Sequence, residues 1–203
     1  MIKAKHSKLY IGFYKYFFGT LQKIFFRKIS IIESDHIPVN QSVLLLPNHF
    51  SWWDGYWVCW VSHYVFNRRF YVMMLEEQLS KRMFINRAGI FSIKPNSRES
   101  LESLHYAAEI LRDPKNIVVI FPTGVLLSQH QKNMHFQKGI NLIMKGKSEH
   151  FAVVLSVFLV DYFGFVRPEV RIYLKNYLGE RTSEAIEKAY SDFYQECVTK
   201  QTE

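Results

Sequence analysis

An imidazole and a carboxylate, those of His49 and Asp54, lie five residues apart directly after the apolar run at residues 43–47. A short apolar run predicts a buried strand, and α/β enzymes place reactive side chains on the loops that follow strands. A histidine that accepts a proton and an aspartate that orients it form a general-base pair. The spacing therefore predicts a proton-transfer site at the end of this strand.

The same segment has a purely structural interpretation. Ser51 and Asp54 stand at the spacing of a capping box, with Ser51 as N-cap and Asp54 near the positive end of the helix dipole. On one continuous helix five residues turn through about 500°, so His49 and Asp54 would point to different faces. They can meet only if His49 lies in the preceding loop and the chain turns back at Ser51. A cap would thus supply the geometry that catalysis needs, and these residues alone leave both interpretations open.

Size, charge and cysteine content limit the class of protein. The 203 residues, 48% of them hydrophobic, suffice for one domain with a full core. Cys59 and Cys197 lie far apart in sequence, which favours a reducing compartment over a disulfide framework. His130 and His135 have a loose ligand-like spacing, but no cysteine or acid cluster accompanies them, and we expect no metal. The net charge of +8 favours an anionic partner.

The positive charge is concentrated in residues 1–30, which contain seven lysines and arginines and no acid. At 100° per residue, a helix over this segment would have an aromatic face and a basic face. The aromatic face would hold Tyr10, Phe13, Tyr14, Phe17, Leu21, Ile24 and Phe25, and the opposite face Lys8, Lys15, Gln22 and Lys23.

A basic, aromatic, amphipathic helix at residues 1–30 is typical of the membrane interface. The alternative is a helix that packs its aromatic stripe on its own domain. An RNA-binding arm would not need segregated aromatics, so we expect membrane lipids and no nucleic acid as partners. No uncharged stretch approaches the about 20 residues that span a bilayer, and no cleavage site follows an apolar segment. We therefore expect a peripheral protein at the cytoplasmic face of a membrane.

Residues 31–203 alternate apolar strands with amphipathic helices. The strands are predicted at residues 42–46, 70–75, 90–93, 116–121, 151–160 and 170–174, and the main helices at 53–66, 99–112 and 183–199. This alternation predicts a single α/β domain with a mixed, largely parallel central sheet and helices on both faces.

Three loops that follow predicted strands, at residues 48–54, 89–98 and 121–124, carry a family resemblance. Their order and spacing resemble the glycerolipid and lysophospholipid acyltransferases, the family that includes 1-acylglycerol-3-phosphate acyltransferase. That family has an Asn-His-x4-Asp block, then Gly-x-x-Phe-x-x-Arg, then Phe-Pro-Glu-Gly. His49 and Asp54 match the first block in full, and the resemblance extends over roughly residues 40–165.

The resemblance implies a direct acyl transfer from a thioester of acyl carrier protein or coenzyme A to a hydroxyl group, with no other cofactor. His49 would remove the hydroxyl proton, and Asp54 would orient the imidazole and stabilise its charged form. Backbone N–H groups of residues 51–53 are candidates for holding the oxyanion. The residues expected at the substrate are Asn48, Ser51, Trp52, Lys94, Arg98, Thr123 and Gly124.

Departures from the family pattern concern the acceptor. Lys94 stands where arginine is usual, which keeps the charge without the bidentate fork, and Thr123 replaces a glutamate. Arg98 could replace the missing guanidinium or could be a surface residue beside a helix. Trp52 could line an acyl channel or belong to the core. A site so altered could accept a glycolipid, an aminolipid, or a pigment or polyketide, and a second alternative is a membrane-binding scaffold that lacks catalysis.

Overall fold

Seven strands form one sheet in a computed structural model of the chain, which describes residues 1–37, 39–131, 134–137, 139–145 and 151–202. The strands are β1 (Lys28–Ser34), β2 (Ser42–Pro47), β3 (Arg69–Leu75), β4 (Ile90–Ile93), β5 (Asn116–Val119), β6 (Phe151–Asp161) and β7 (Glu169–Tyr177). The helices are α1 (Lys8–Phe25), α2 (Asp54–Tyr64), α3 (Glu76–Ser80), α4 (Glu99–Ile110), α5 (Ile140–Lys145) and α6 (Ser183–Thr199), with a 3-10 turn at Met83–Arg87.

The strand order across the sheet is β1-β7-β6-β2-β5-β3-β4. The five strands from β6 to β4 run parallel, β7 is antiparallel to β6, and β1 is parallel to β7. The predicted fold class, a mixed and largely parallel sheet with helices on both faces, is therefore confirmed. One consequence matters for function: β2, β3, β4, β5 and β6 all end at one edge of the sheet, which we call the upper edge.

Central strand β2 shows why the sheet needs helices on both sides. Side chains alternate along a strand, so Val43 and Leu45 point to one face and Leu44 and Leu46 to the other, and all four are buried. The first pair packs under α2 and α1. The second pair packs under α4, α5 and α6. The unbroken apolar run of β2 thus anchors the loop that follows it between two layers.

The N-terminal segment differs from the helix expected over residues 1–30. Residues 1–7 are extended and bond to the chain around β4, with Ser92 N–H donating to the Ile2 carbonyl over 2.9 Å. Helix α1 begins at Lys8 because Ser7 caps it, accepting the Tyr10 N–H at 3.4 Å. Residues 28–30 belong to β1, whose pairing with β7 outweighs helical continuation.

The aromatic face predicted for helix α1 is split in the structure, because part of it packs on the domain and part is exposed. Tyr10, Tyr14 and Phe18 pack towards α2, where the Phe18 ring lies 5.6 Å from that of Tyr56. A second stripe is exposed; it consists of Leu9, Phe13, Tyr16, Phe17, Ile24 and Phe25. One side of the helix therefore packs on its own domain, as the alternative interpretation held, and an apolar stripe remains open. Within the described residues, no helix is long and apolar enough to cross a bilayer.

The division of α1 leads to a stability prediction. Replacing Phe18 by alanine should lower the free energy of unfolding by about 2 kcal/mol, because the ring is partly buried against α2. Phe13→Ala is the matched control, since Phe13 lies on the exposed stripe of the same helix and its loss should change stability by less than about 0.5 kcal/mol. Urea unfolding measures both. Equal losses would contradict the packing of α1 on α2.

Candidate functional site

The imidazole of His49 and the carboxylate of Asp54 meet at the upper edge of the sheet. His49 lies in the loop after β2, and its Nδ1 is 2.7 Å from Oδ2 of Asp54, the first residue of α2. The chain turns back between them, because Ser51 Oγ accepts the Trp53 N–H at 3.1 Å and the Ser51 carbonyl accepts the Asp54 N–H at 3.2 Å. The prediction of Ser51 as N-cap is wrong, because the N-cap position of α2 is Trp53 and no side chain caps it. The turn at residues 51–53 still brings the Asp54 carboxylate to the imidazole, as the catalytic interpretation requires.

Three donors converge on one oxygen of Asp54. Besides the His49 ring, Oδ2 accepts the N–H groups of Phe50 at 2.8 Å and Ser51 at 2.9 Å. The Asp54 side chain is only 1% exposed, and a buried carboxylate needs such donors. An acceptor at this position keeps the histidine proton on Nδ1 and leaves a lone pair on Nε2. With its side chain 28% exposed, His49 can present Nε2 to an incoming molecule.

The loop after β5, the strand next to β2, holds His49 from its other side. The Phe121 ring stacks on the imidazole with centroids 4.2 Å apart, and the Leu127 N–H donates to the His49 carbonyl at 2.8 Å. Gly124 has a φ of 68°, which lets this loop turn. Thr123 is buried beside His49, and its hydroxyl donates to the Val125 carbonyl at 2.9 Å. Thr123 therefore shapes the loop and offers the site only an acceptor oxygen.

Two amide side chains extend the sheet beyond the end of β2. The Asn48 amide donates to the Phe158 carbonyl and accepts its N–H, both at 2.8 Å. Gln129 makes the same two contacts with Val160, at 3.0 and 3.1 Å. Asn48 was expected at the substrate, but its amide is buried and turned into the sheet, because the upper part of β6 would otherwise have unpaired backbone groups. Both residues anchor the loops that surround His49.

The hydroxyls of two tyrosines on α6 form hydrogen bonds to β6 and to the Gln129 loop, and neither residue was predicted at the site from the sequence. The Tyr190 hydroxyl donates to the Ser156 carbonyl at 2.9 Å. The Tyr194 hydroxyl donates to the Gln129 carbonyl. Burial raises the pKa of Tyr190 well above its ordinary value, so it remains a protonated donor. Their four-residue spacing on the apolar face of α6 indicated core packing, without indicating that their hydroxyls contact β6 and a site loop.

The loop after β4 places its two cations apart from the His49–Asp54 pair. Lys94 is exposed, with Nζ 3.8 Å from Glu99 Oε1, and Arg98 is exposed just before α4. Strands β5 and β3 separate β4 from β2, and at ~4.8 Å per strand the loops start about 14 Å apart. The structure therefore puts Lys94 and Arg98 on the same edge as His49 without contact between them.

The turn at residues 51–53 differs in part from its expected role. Its N–H groups were candidates for an oxyanion site, but Asp54 Oδ2 occupies that of Ser51 and Ser51 Oγ occupies that of Trp53. The Trp52 N–H has no acceptor within the part of the chain that the structure describes. The Trp52 side chain is 72% exposed, with its ring 5.5 Å from that of Phe18 on α1. Trp52 is therefore a surface residue beside His49.

Other reactive side chains of the described residues do not form a second site. Cys59 and Cys197 are buried, and burial raises the pKa of Cys59 to about 11 and that of Cys197 to about 12, so both remain thiols. His135 and Glu187 face each other at the surface, 3.4 Å apart. No group of three His, Cys, Asp or Glu side chains suited to a metal occurs among the described residues. The chemistry that the site can perform is general-base catalysis by His49.

Comparisons with known proteins agree with this geometry. A family model described as Acyltransferase matches residues 28–156. The structure is similar to the crystal structure of the 1-acyl-sn-glycerophosphate (LPA) acyltransferase PlsC from Thermotoga maritima, with a TM-score of 0.64 and 14% sequence identity. The similarity covers 95% of this chain and 81% of that chain, and at this identity it concerns the fold. A search of curated proteins gives no significant match.

Tyr190 provides a test of how the site is supported. Tyr190→Phe should leave the buried Ser156 carbonyl without its donor and lower the free energy of unfolding by about 1–3 kcal/mol, measured by urea denaturation. Tyr16→Phe serves as control, because Tyr16 is exposed on α1 and its hydroxyl should contribute nothing measurable. If both variants have the stability of the wild type, the hydroxyl of Tyr190 does not hold α6 to β6.

Proposed function

This chain belongs to the acyltransferase family, whose model covers residues 28–156, and from that premise we propose that it moves a fatty acyl chain from a thioester to a hydroxyl of a lipid or lipid-like acceptor. The thioester would be that of acyl carrier protein or coenzyme A. The observation that carries this proposal is the 2.7 Å contact between His49 Nδ1 and buried Asp54 Oδ2 at the upper edge of the sheet. It leaves Nε2 free to take a proton.

The proposed reaction needs no covalent enzyme intermediate. His49 Nε2 removes the proton of the acceptor hydroxyl while the hydroxyl oxygen attacks the thioester carbonyl carbon. The Asp54 carboxylate stabilises the imidazolium that forms. The carbon–sulfur bond then breaks. The departing thiolate takes up the proton from Nε2 and leaves as a thiol, which restores the neutral imidazole. Both cysteines are buried thiols and the Ser51 hydroxyl accepts the Trp53 N–H within the turn before α2, which supports direct transfer over a two-step route.

The oxyanion of this reaction requires a hydrogen-bond donor close to His49. The Trp52 N–H is the candidate, because it lies at the start of α2, where the helix dipole favours negative charge, and has no acceptor among the described residues. The neighbouring N–H groups of Ser51 and Trp53 are already bonded, to Asp54 Oδ2 and Ser51 Oγ. Of the three N–H groups at residues 51–53 that were candidates for holding the oxyanion, we therefore propose that of Trp52 alone.

The acceptor is proposed from what surrounds His49. Lys94 and Arg98 on the same edge fit an anionic group of the acceptor or the thioester, and 1-acyl-sn-glycerophosphate, after which the protein of similar fold is named, is an acceptor of this kind. A second candidate class is an acceptor without a phosphate, such as a glycolipid, an aminolipid, or a pigment or polyketide. It is favoured by Thr123, which stands where the family has a carboxylate, and by the exposed side chains of Val125 and Leu126 that follow.

We further propose that the protein lies on the cytoplasmic face of a membrane, held by α1. The exposed stripe of this helix combines large apolar side chains with the exposed cations Lys8 and Lys23, a composition suited to the lipid interface. The alternative, a scaffold of the same fold without catalysis, would not need the converging donors on Asp54. The intact His49–Asp54 pair therefore favours an enzyme.

The catalytic prediction concerns His49. His49→Ala should reduce thiol release from an acyl thioester, in the presence of a panel of lipid acceptors, by a factor of about 10² to 10⁴, because the base is lost. Asp54→Asn should reduce it as well, since the Nδ1–H tautomer is no longer enforced. His130→Ala is the control, because His130 is exposed on a loop and should keep full activity. Unchanged turnover in His49→Ala would overturn the mechanism.

The membrane prediction concerns the exposed stripe of α1. Phe13→Asp should weaken cosedimentation with phosphatidylglycerol vesicles by about fivefold, because it removes an inserting ring and adds a charge that the anionic surface repels. Leu178→Asp carries the same change of charge at an exposed position beyond β7, at the edge of the sheet opposite His49, and should bind like the wild type. Equal binding by all three proteins would exclude α1 from the interface.

A further inference from the structure

The turn that joins β6 to β7 is an exposed, largely apolar tip at the upper edge of the sheet. Because β6 runs parallel to β2, this turn lies at the same edge as His49. Tyr162 and Phe165 are exposed there, and Val166 is 95% exposed. A tip of this composition leaves apolar surface in water, which a monomeric soluble domain seldom does without a partner.

The tip is joined to the last turn of α1. The Arg27 guanidinium lies over the Phe165 ring at 3.6 Å, and its backbone N–H donates to the Pro168 carbonyl at 2.9 Å. Arg167 donates to the Lys23 carbonyl at 2.7 Å. The tip and the end of α1 are therefore one structural unit, and the exposed Ile24 and Phe25 of α1 extend its apolar surface.

Aromatic contacts continue this surface to the loop that carries His49. The Phe25 ring lies 5.8 Å from that of Trp53, and the Trp53 ring 5.6 Å from that of exposed Trp52. Trp52 is three residues from His49, whose side chain is partly exposed at the same edge. The β6–β7 tip, the end of α1 and the Trp52 turn thus form one apolar border beside the proposed base.

Charge around the tip favours an anionic partner. The exposed cations next to it are Lys23, Arg27, Lys28 and Arg167, and the half-buried Arg171 stacks on the Phe163 ring at 4.0 Å. The two acids of the turn are engaged within the protein, since Glu169 is buried and paired with Arg27, and Asp161 Oδ1 accepts the Tyr162 N–H at 2.8 Å. Among the described residues Arg27 alone of these cations is paired with an acid, and apolar side chains bordered by such cations match an anionic lipid surface better than a protein or a neutral ligand.

The backbone of the tip is held in shape before any partner binds. Phe163 has a φ of 46°, in the left-handed region that bulky L-residues rarely enter. Asp161 Oδ1 also accepts the Phe163 N–H at 3.5 Å, so one carboxylate oxygen accepts hydrogen bonds from two successive backbone N–H groups. The turn that carries these exposed side chains is therefore already ordered, so the binding of a partner adds no entropic cost of ordering it.

We propose that residues 162–166 insert into an anionic lipid bilayer together with the C-terminal end of α1, so that the upper edge and His49 face the membrane. This inference rests on the membrane association in the proposed function and adds a second contact from a distant part of the chain. Two contacts, the exposed stripe of α1 and the tip beside its C-terminal end, restrict the orientation of the domain on the membrane. A lipid hydroxyl then reaches His49 from the bilayer surface without leaving it.

The test uses the full chain and vesicles, without thioester, so that no turnover takes place. Val166→Asp should weaken binding to phosphatidylglycerol vesicles by about five- to tenfold at moderate salt, measured by cosedimentation. Val166→Trp should strengthen it, because tryptophan prefers the interface. Leu178→Asp and Leu178→Trp are matched controls at 87% exposure, at the other end of β7 and on the opposite edge, and should bind like the wild type.

The outcomes separate this inference from the proposed function. If the wild type binds and Val166→Asp binds equally well, the β6–β7 tip is not part of the interface, while membrane attachment by α1 stands. If the wild type does not bind phosphatidylglycerol vesicles at all, both the attachment and this inference fail. Strong binding to neutral phosphatidylcholine vesicles would contradict the role of the cations. None of these results depends on acyl transfer, which the His49 variants measure separately.

Discussion

A single carboxylate oxygen organises the site. Asp54 Oδ2 accepts hydrogen bonds from the His49 ring and from two successive backbone N–H groups, those of Phe50 and Ser51, and the side chain that carries it is buried. A buried carboxylate is tolerated only when donors surround it, so the chain must fold back over the start of α2 to supply them. That fold sets the start of the helix, the direction of the imidazole and the position of its proton. Within the described residues Asp54 Oδ1 has no partner, so the whole arrangement depends on Oδ2.

The surrounding structure keeps this small unit in place from several directions. Asn48 and Gln129 join their loops to the upper part of β6, the Tyr190 and Tyr194 hydroxyls hold the same segments from α6, and Phe121 covers the imidazole. These contacts come from four parts of the chain that parallel strands bring to one edge. A proton transfer is sensitive to displacements well below 1 Å, so supports of this kind are as necessary as the base itself.

The proposed chemistry and the proposed membrane contact share the same edge for a physical reason. The loops of a parallel sheet gather at the carboxyl ends of its strands, and here the apolar Trp52 turn and the β6–β7 tip emerge beside His49. An acyl chain and its lipid acceptor are both partly apolar, so a base bordered by exposed aromatics can meet them at an interface. Helix α1 links the two roles, because one side of it stabilises the domain and the other side remains exposed.

The sequence by itself determined what depends on local patterns. β4 at residues 90–93 and α6 at residues 183–199 occur at their predicted bounds, because side-chain periodicity and caps act within a few residues. The contact between His49 and Asp54 was predictable for the same reason, since it follows from a turn of a few residues, although the predicted N-cap at Ser51 was wrong. Only the tertiary structure decided the inward turn of Asn48, the role of Tyr190, the division of α1 and the pairing of residues 1–7 with the β4 region. Asn48 meets Phe158 across 110 residues and Tyr190 meets Ser156 across 34, and such contacts arise from strand order and helix placement, which no local pattern encodes.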